Sequence, residues 1–223
     1  SAAFDTVDHQ ILLRRLKTSY GLVGSVLDWF ASYLDGRTQF VRCGTRWSTP
    51  GSVLCGKPQG SVLGPMLFLL YMAKLLRLIE DHDLHPHLYA DDTQIYGYCQ
   101  PKPCDVAQLE SSVSLCVNEV ASWMRSNRLQ LNTAKTEVLW CSSPFRQHEL
   151  PATPLTVGDD VVSPVRSVRN LGIYIDSDVS MRTHVAKTES CCFSALRQIR
   201  SIRRSVTKPV LLSLVTSMVL TRL

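Results

Sequence analysis

The chain has 223 residues, of which 45% are hydrophobic and 19% are charged, and its 24 Lys and Arg exceed its 19 Asp and Glu by five. This composition excludes a disordered or collagen-like chain and is enough for one large domain or two small ones. The apolar runs fall short of the ~20 residues that cross a bilayer, so no membrane helix is expected.

Cysteine usage and the first residues bear on the compartment and on the completeness of the chain. Eight cysteines occur at irregular positions without a signal peptide, so an intracellular protein with reduced thiols is expected. The chain begins without Met or a leader segment, which indicates a fragment. One metal-like cluster lacks the close ligand pairs of a structural zinc site, so zinc is not expected there; it contains His82, His85, His87, Cys99 and Cys104.

Helical periodicity dominates the first third of the chain. Asp8 is a suitable N-cap and Gly21 a suitable stop for a first helix, and a second apolar stripe covers residues 26–34. Alternation over 38–42 predicts a strand. A long, mostly buried helix is expected over 65–80.

An acidic hairpin is predicted next. The segments 87–90 and 93–98 favour strands, and the two residues between them are Asp91 and Asp92. Two adjacent carboxylates repel each other, and a nearby cation such as a metal ion would offset the cost of this repulsion. Asp pairs are also common turn formers, and a second pair in 158–160 is interpreted as an ordinary turn.

The second half is predicted to contain a helix capped by Asp105 and strands over 136–141 and 168–176. From residue 180 onwards, eight Lys and Arg accompany the single acid Glu189.

Three basic residues in this last segment have helical spacing, namely Arg197, Arg200 and Arg204. The opposite side of that helix is predicted to carry Phe193, Leu196, Ile199 and Ile202. A solvated helix face is the common explanation of such a stripe, and a polyanionic partner is the alternative.

Five segments in order along the chain resemble the palm motifs of reverse transcriptases, specifically those of non-LTR (LINE-type) retrotransposons. The segments are 4–9, 58–65, the Tyr-Ala-Asp-Asp of 89–92, 131–137 and 169–176. The resemblance implies an α+β fold, a right-hand polymerase palm with a small antiparallel sheet backed by helices, followed by a helical partial thumb. It further implies a palm over 1–142, a hairpin and primer-grip-like strand over 143–179, and the basic helical start of the thumb over 180–223.

The resemblance also implies RNA-directed DNA polymerase activity with two Mg²⁺ ions held by Asp91 and Asp92. Mg²⁺ prefers oxygen ligands and substrate phosphates, which suits a site with few carboxylates and no His/Cys cluster. The implied partners are an RNA template, a DNA primer or RNA–DNA hybrid, and dNTPs.

Three residues are assigned to the incoming nucleotide by the same resemblance. Phe4 would exclude a ribose 2′-hydroxyl, although the same ring can also belong to the core. Gln59 would hydrogen-bond the nucleotide, and Gly60 would allow close backbone approach because it lacks a Cβ. A plain loop before a helix is the alternative for both, and Lys57 departs from the small apolar residue usual in the family.

Other residues are assigned to the leaving phosphate and the nucleic acid. Lys135 would act as a general acid near the leaving phosphate, although an exposed Lys beside a strand is common. Leu171 and Gly172 would belong to the primer grip, and the stripe of three arginines would contact phosphates.

One departure bears on activity. The first palm Asp of the family would precede Ser1, so the isolated chain is expected to have little or no polymerase activity. The alternative is a non-catalytic remnant that still binds RNA or hybrid. A structural helper without any nucleic-acid role would be distinguished by salt-independent behaviour.

Overall fold

The computed structural model of the chain describes residues 2–56 and 60–222. The helices found in these residues are α1 His9–Tyr20, α2 Ser25–Leu34, α3 Leu63–Glu80, α4 Pro103–Ser126, α5 Arg182–Ile202 and α6 Lys208–Met218. The strands are β1 Thr38–Gln39, β2 Arg42–Cys43, β3 Arg46–Trp47, β4 Gly51–Ser52, β5 His85–Tyr89, β6 Asp92–Tyr96, β7 Val138–Leu139, β8 Leu155–Val157, β9 Asp160–Val162, β10 Pro164–Val165, β11 Ser167–Asn170 and β12 Ile173–Asp176.

The strands pair two by two. β1 pairs with β4, β2 with β3, β5 with β6 and β11 with β12, all antiparallel, whereas β7 and β10 are parallel. β8 and β9 form the remaining pair. The predicted combination of helices with small antiparallel sheets is confirmed. In the described residues, no helix is long and apolar enough to cross a bilayer.

The chain divides into two compact units. The first contains residues 1–134 together with 156–160, and the second contains 135–155 together with 161–223. Each unit has its own hydrophobic cluster.

The first unit is organised around α1, α3 and α4. Asp8 caps α1 as predicted, since its Oδ1 accepts a hydrogen bond of 2.8 Å from the Ile11 amide, and Gly21 ends the helix at φ +67°. α3 begins at Leu63, two residues before the predicted start, and buries residues along most of its length. The core of this unit is the set Val7, Leu12, Leu16, Leu34, Leu67, Phe68, Tyr71, Met72, Leu75, Ile79, Leu84, Cys116, Val120, Met124 and Leu129.

Polar contacts fix the end of α4 to the other two helices. The Tyr71 hydroxyl donates a 2.6 Å hydrogen bond to the Asn127 carbonyl. Arg15 on α1 is buried, donates to the Asn127 side chain and lies 4.6 Å from the Tyr71 ring centroid. Burial lowers the pKa of Arg15 because removal from water disfavours the charged guanidinium.

Three predicted elements have different bounds in the structure. The strand expected over 38–42 is split into β1 and β2, because the two strands pair with different partners. α4 begins at Pro103, so Asp105 lies inside its first turn and Lys102 takes the N-cap position. The strand expected over 136–141 is reduced to β7.

The second unit has a smaller core, formed where α5 packs against α6. Cys192, Ala195 and Ile199 are the buried residues of α5. The predicted apolar side of this helix is therefore corrected: Ile199 is buried, whereas Phe193, Leu196 and Ile202 are exposed. The buried face is shifted by one residue, from Phe193 and Leu196 to Cys192 and Ala195, because α6 packs against Cys192 and Ala195.

Candidate functional site

The predicted acidic hairpin exists as β5 and β6, but its turn is shifted by one residue. The register pairs Tyr89 with Asp92 and Leu88 with Thr93. The two turn residues are therefore Ala90 and Asp91, and Asp92 is the first residue of β6. The expectation that both acids occupy the tip is wrong in this detail, because the strand pairing extends to Asp92.

The two faces of this hairpin have different surroundings. Leu88 and Ile95 are partly buried and pack against the core of the first unit. Residues directly opposite each other share a face, so Tyr89 and Asp92 lie together on the other side. Both are exposed, and Tyr89 is 61% accessible. The core thus holds one face of the hairpin and leaves its acidic end open to solvent.

The backbone at the tip is strained. Ala90 has φ +54°, in the left-handed region that an L-residue with a Cβ rarely occupies. Such a conformation costs about 1–2 kcal/mol relative to an ordinary backbone. Strain of this kind persists where the surrounding structure enforces it and is frequent at functional sites.

The carboxylates of Asp91 and Asp92 fit a hard divalent cation by their donor chemistry. Both side chains are exposed, and neither forms an ion pair with any residue that the structure describes. The described residues contain no group of three or more His, Cys, Asp or Glu suited to a metal. Because Mg²⁺ is commonly held by one or two carboxylates together with substrate phosphates, two Asp residues match that mode and not a dedicated protein cage.

Phe4 packs against α3, the helix that also lies beside β5. Its ring centroid is 4.6 Å from that of Phe68, and its side chain is partly buried at the edge of the same core that receives Leu88 and Ile95. The structure therefore attaches Phe4 and the acidic hairpin to one core. The expected core role of Phe4 is present, and its proposed contact with a nucleotide sugar stays a prediction.

The predicted nucleotide-binding loop begins at Gly56, which is hydrogen-bonded to the segment that follows Phe4. The Gly56 amide donates a 2.7 Å hydrogen bond to the Val7 carbonyl, and the His9 Nε2 donates one of 2.6 Å to the Gly56 carbonyl. Gly56 has φ +84°, and a Cβ there would lie 2.8 Å from the Asp5 backbone. Only glycine fits this close approach.

The remainder of that loop is described from Gly60 onwards. Gly60 is exposed at φ +76°, and a Cβ at this position would meet nothing within 4 Å. Its glycine is therefore explained by backbone conformation, and the predicted close approach of a nucleotide stays open. Gln59 lies outside the described residues, as does Lys57.

The predicted primer-grip residues lie in the second unit, on a hairpin instead of the single strand expected over 168–176. β11 and β12 pair from Ser167 with Asp176 to Asn170 with Ile173, so Leu171 and Gly172 form a two-residue turn. Their φ values are +46° and +94°, as a turn with two left-handed residues requires. Leu171 is 50% exposed at this tip.

The predicted cations are also in the second unit. Lys135 is exposed at the end of a 3-10 turn over Thr133–Lys135. Arg197 and Arg200 are exposed on α5, but Arg204 lies beyond the end of that helix at Ile202. The expectation of one continuous helical stripe of three arginines is therefore wrong for Arg204, because the chain turns before it.

The sequence did not predict the hydrogen bonds that attach Gly56, at the start of the predicted nucleotide-binding loop, to the beginning of the chain. Gly56 and His9 are joined across 47 positions, a pairing that helical or strand periodicity does not reveal. Sequence reasoning also missed the ion pair of 2.7 Å between Arg128 and the capping residue Asp8. The sequence identified the mostly buried Asp8 as a helix cap. Its partner Arg128 follows α4 and belongs to no recognisable motif, so the ion pair was not predicted.

Comparison with known proteins gives a consistent result. The family described as "Reverse transcriptase (RNA-dependent DNA polymerase)" matches residues 1–175. A probable RNA-directed DNA polymerase from transposon BS of Drosophila melanogaster is 27% identical over 210 residues, which cover 89% of this chain and 22% of that protein. The RNA-directed DNA polymerase from mobile element jockey of Drosophila funebris is 22% identical over 84% of this chain and 20% of its own length. The chain thus spans about a fifth of these relatives.

Proposed function

This chain belongs to the reverse transcriptase family, as its motifs predicted, and on that premise we propose that it forms the palm and the start of the thumb of an RNA-directed DNA polymerase. Its partners in this role are an RNA template, a DNA primer or RNA–DNA hybrid, and dNTPs. The palm comprises residues 1–142, 143–179 carry the primer-grip region, and the thumb begins at 180. The observation that carries the proposal is the exposed acid pair on a core-supported, strained hairpin.

Asp91 and Asp92 are the proposed ligands of two Mg²⁺ ions. When bound, the ions supply activation of a primer 3′-hydroxyl and neutralisation of the phosphate charge. The protein residues supply position: Leu88 and Ile95 anchor the hairpin, and Ala90 sets the course of the chain into the acid pair. An exposed carboxylate pair that forms no ion pair within the described part of the chain leaves room for the phosphate oxygens that complete a magnesium shell.

The nucleotide is proposed to contact Phe4, Gln59 and Gly60. Phe4 is held by Phe68 at 4.6 Å, so its ring is fixed enough to reject a group by collision. Gly56, which precedes Gln59 and Gly60 in the same loop, is hydrogen-bonded to Val7 in the segment that follows Phe4. This link supports placing the ring and the loop at one substrate.

The residues proposed to hold the nucleic acid, and the proposed general acid, belong to the second unit. Leu171 and Gly172 present an exposed turn suited to a primer strand, and Arg197, Arg200 and Arg204 are exposed cations suited to phosphates. Lys135 is an exposed amine at the end of a 3-10 turn, in keeping with a general acid.

The test measures nucleotide binding, because binding reports on the acid pair without requiring strand synthesis. A fluorescent dNTP is titrated with the protein in Mn²⁺, in Mg²⁺ and in EDTA. The D91N/D92N variant is expected to lose the whole metal-dependent part of the affinity and to bind as the wild type does in EDTA. The matched control D159N/D160N removes two exposed acids from the other acidic hairpin and is expected to bind like the wild type.

Two results would contradict the proposal. One is metal-dependent affinity that D91N/D92N retains; the other is an equal loss in both double variants, which would indicate a general effect of charge. Circular dichroism and the urea midpoint of each variant establish that the fold is intact before the titrations are compared.

A further inference from the structure

The ribbon of residues 38–52 belongs to the first unit. It contains β1 to β4, and every residue in it is exposed. Gly44 at φ +62° makes its terminal turn, and the two ladders are offset by one residue, so the ribbon bends between them. A two-stranded ribbon without a buried face is only marginally stable alone. Packing therefore does not explain why its exposed side chains are large and aromatic.

Aromatic and guanidinium groups cluster on one face of this ribbon. The Phe40 and Trp47 ring centroids are 4.7 Å apart, and the Arg42 guanidinium lies 5.0 Å from the Trp47 ring centroid. Arg42 and Trp47 are directly opposite each other in the ladder. Phe40 is 54% and Trp47 56% accessible, so both rings offer much of their surface to solvent.

The charge of the ribbon has a single sign. The sequence contains no Asp or Glu between Asp35 and Glu80, whereas Arg37, Arg42 and Arg46 lie in or beside the ribbon. Neither Arg42 nor Arg46 forms an ion pair within the described part of the chain. The surface therefore complements a polyanion, and its planar groups complement other flat rings.

We infer that this ribbon binds an unpaired stretch of a nucleic-acid strand, with Phe40 and Trp47 stacking on bases and Arg42 and Arg46 contacting phosphates. Alternating cations and exposed rings are the chemistry by which proteins hold single strands without reading their sequence. The inference rests on the proposed function for the source of the strand, but the binding needs neither metal ions nor dNTPs.

The experiment measures fluorescence anisotropy of labelled 20-nucleotide single strands of mixed sequence, one RNA and one DNA, in EDTA. W47L keeps an apolar side chain but removes the stacking ring, and is expected to weaken binding at least about fivefold. The matched control is W29L, which removes another exposed Trp, located on α2, and is expected to change affinity less than twofold. RNA and DNA are expected to lose affinity equally, because stacking does not use the 2′-hydroxyl.

The arginines are tested through salt dependence. R42Q/R46Q is expected to reduce the slope of log K against log salt by about 1.4, since each lost phosphate contact on a single strand contributes about 0.7. W47L is expected to leave this slope unchanged. W47F, which keeps an aromatic ring, should restore most of the affinity and so separates stacking from a folding defect.

Unchanged affinity in both W47L and R42Q/R46Q would overturn the inference. So would an altered sedimentation coefficient in W47L without any change in strand binding, because the ribbon would then be a protein interface. Neither result depends on the acid pair, so failure here is distinct from failure of the metal-dependent nucleotide titration.

Discussion

The protein contains two hairpins that carry adjacent aspartates; their turns begin with a similar backbone conformation but with different residues. The first has Ala90 and Asp91 as its turn residues, and the second has Gly158 and Asp159 between β8 and β9. Both begin their turn at positive φ, +54° for Ala90 and +64° for Gly158. The second uses the residue that adopts this conformation without strain, and the first does not.

This difference supports the proposal that the first acid pair is a site and that the second belongs to an ordinary turn. An ordinary turn has no reason to keep an alanine where glycine is more stable, so the strained alanine points to a constraint other than stability. The strands also differ: β5 and β6 have five residues each, whereas β8 and β9 have three. The longer hairpin can hold its tip against the strain.

Exchanging alanine and glycine between the two turns gives the largest expected effect. Ala90→Gly should raise the free energy of unfolding by about 0.5–1 kcal/mol, since it relieves a left-handed residue with a Cβ. Gly158→Ala should lower it by about 1 kcal/mol, and that loss is purely conformational because a Cβ at Gly158 meets nothing within 4 Å. Urea unfolding midpoints measure both changes.

The two substitutions are controls for each other, because each changes one Cβ at a turn of similar φ. If Ala90→Gly destabilised the protein, the Ala90 methyl group would be making a favourable contact, and the interpretation of Ala90 as a strained residue would be wrong. A gain in unfolding free energy for Ala90→Gly that equals the loss for Gly158→Ala would show that the Cβ at the turn accounts for the difference between the hairpins.

A third aspartate at the end of a hairpin has a structural role and a smaller expected effect. Asp176, the last residue of β12, is 7% exposed and its Oδ2 accepts a 3.0 Å hydrogen bond from the Thr183 amide in the first turn of α5. Hydrogen bonds from Thr183 lower the pKa of this carboxyl. Asp176 thus uses its charge within the protein, whereas Asp91 and Asp92 offer theirs to solvent.

Asp176→Asn should therefore lower the thermal midpoint at pH 7, and the deficit should shrink in acid. A carboxyl whose pKa is lower in the folded than in the unfolded chain stabilises fully above the unfolded value of about 3.9, and this stabilisation is lost as pH falls through the folded pKa. Thermal midpoints between pH 2.5 and 7 measure the effect. The exposed Asp160, substituted by Asn, is the control, and a deficit of Asp176→Asn that stayed constant down to pH 2.5 would contradict the assignment.

Much of the local structure was predictable because it depends on neighbouring residues. The Asp8 cap, the Gly21 stop, the buried helix α3 and the acidic hairpin follow from periodicity and turn chemistry. The order of the motifs predicted the family. The turn at Leu171 and Gly172 was missed because Leu is rare at positive φ and the surrounding apolar run reads as one strand.

The contacts between distant segments were not predictable in the same way. The close approach of Gly56 to Asp5 and the Asp8–Arg128 ion pair are set by packing across long sequence separations. The exposed ribbon was predicted only as a strand, because single-sequence alternation does not indicate whether an alternating segment has a core to face.

We propose that Asp91 and Asp92 bind divalent ions and that Asp159 and Asp160 do not. The most direct measurement is a titration of the ¹⁵N-labelled protein with Mn²⁺, which broadens the amide signals of residues close to the ion. We expect the signals of residues 89–93 to broaden at Mn²⁺ concentrations that leave those of 157–161 sharp, and we expect excess Mg²⁺ to restore them. Equal broadening at both hairpins, or broadening that spares 89–93, would contradict this proposal.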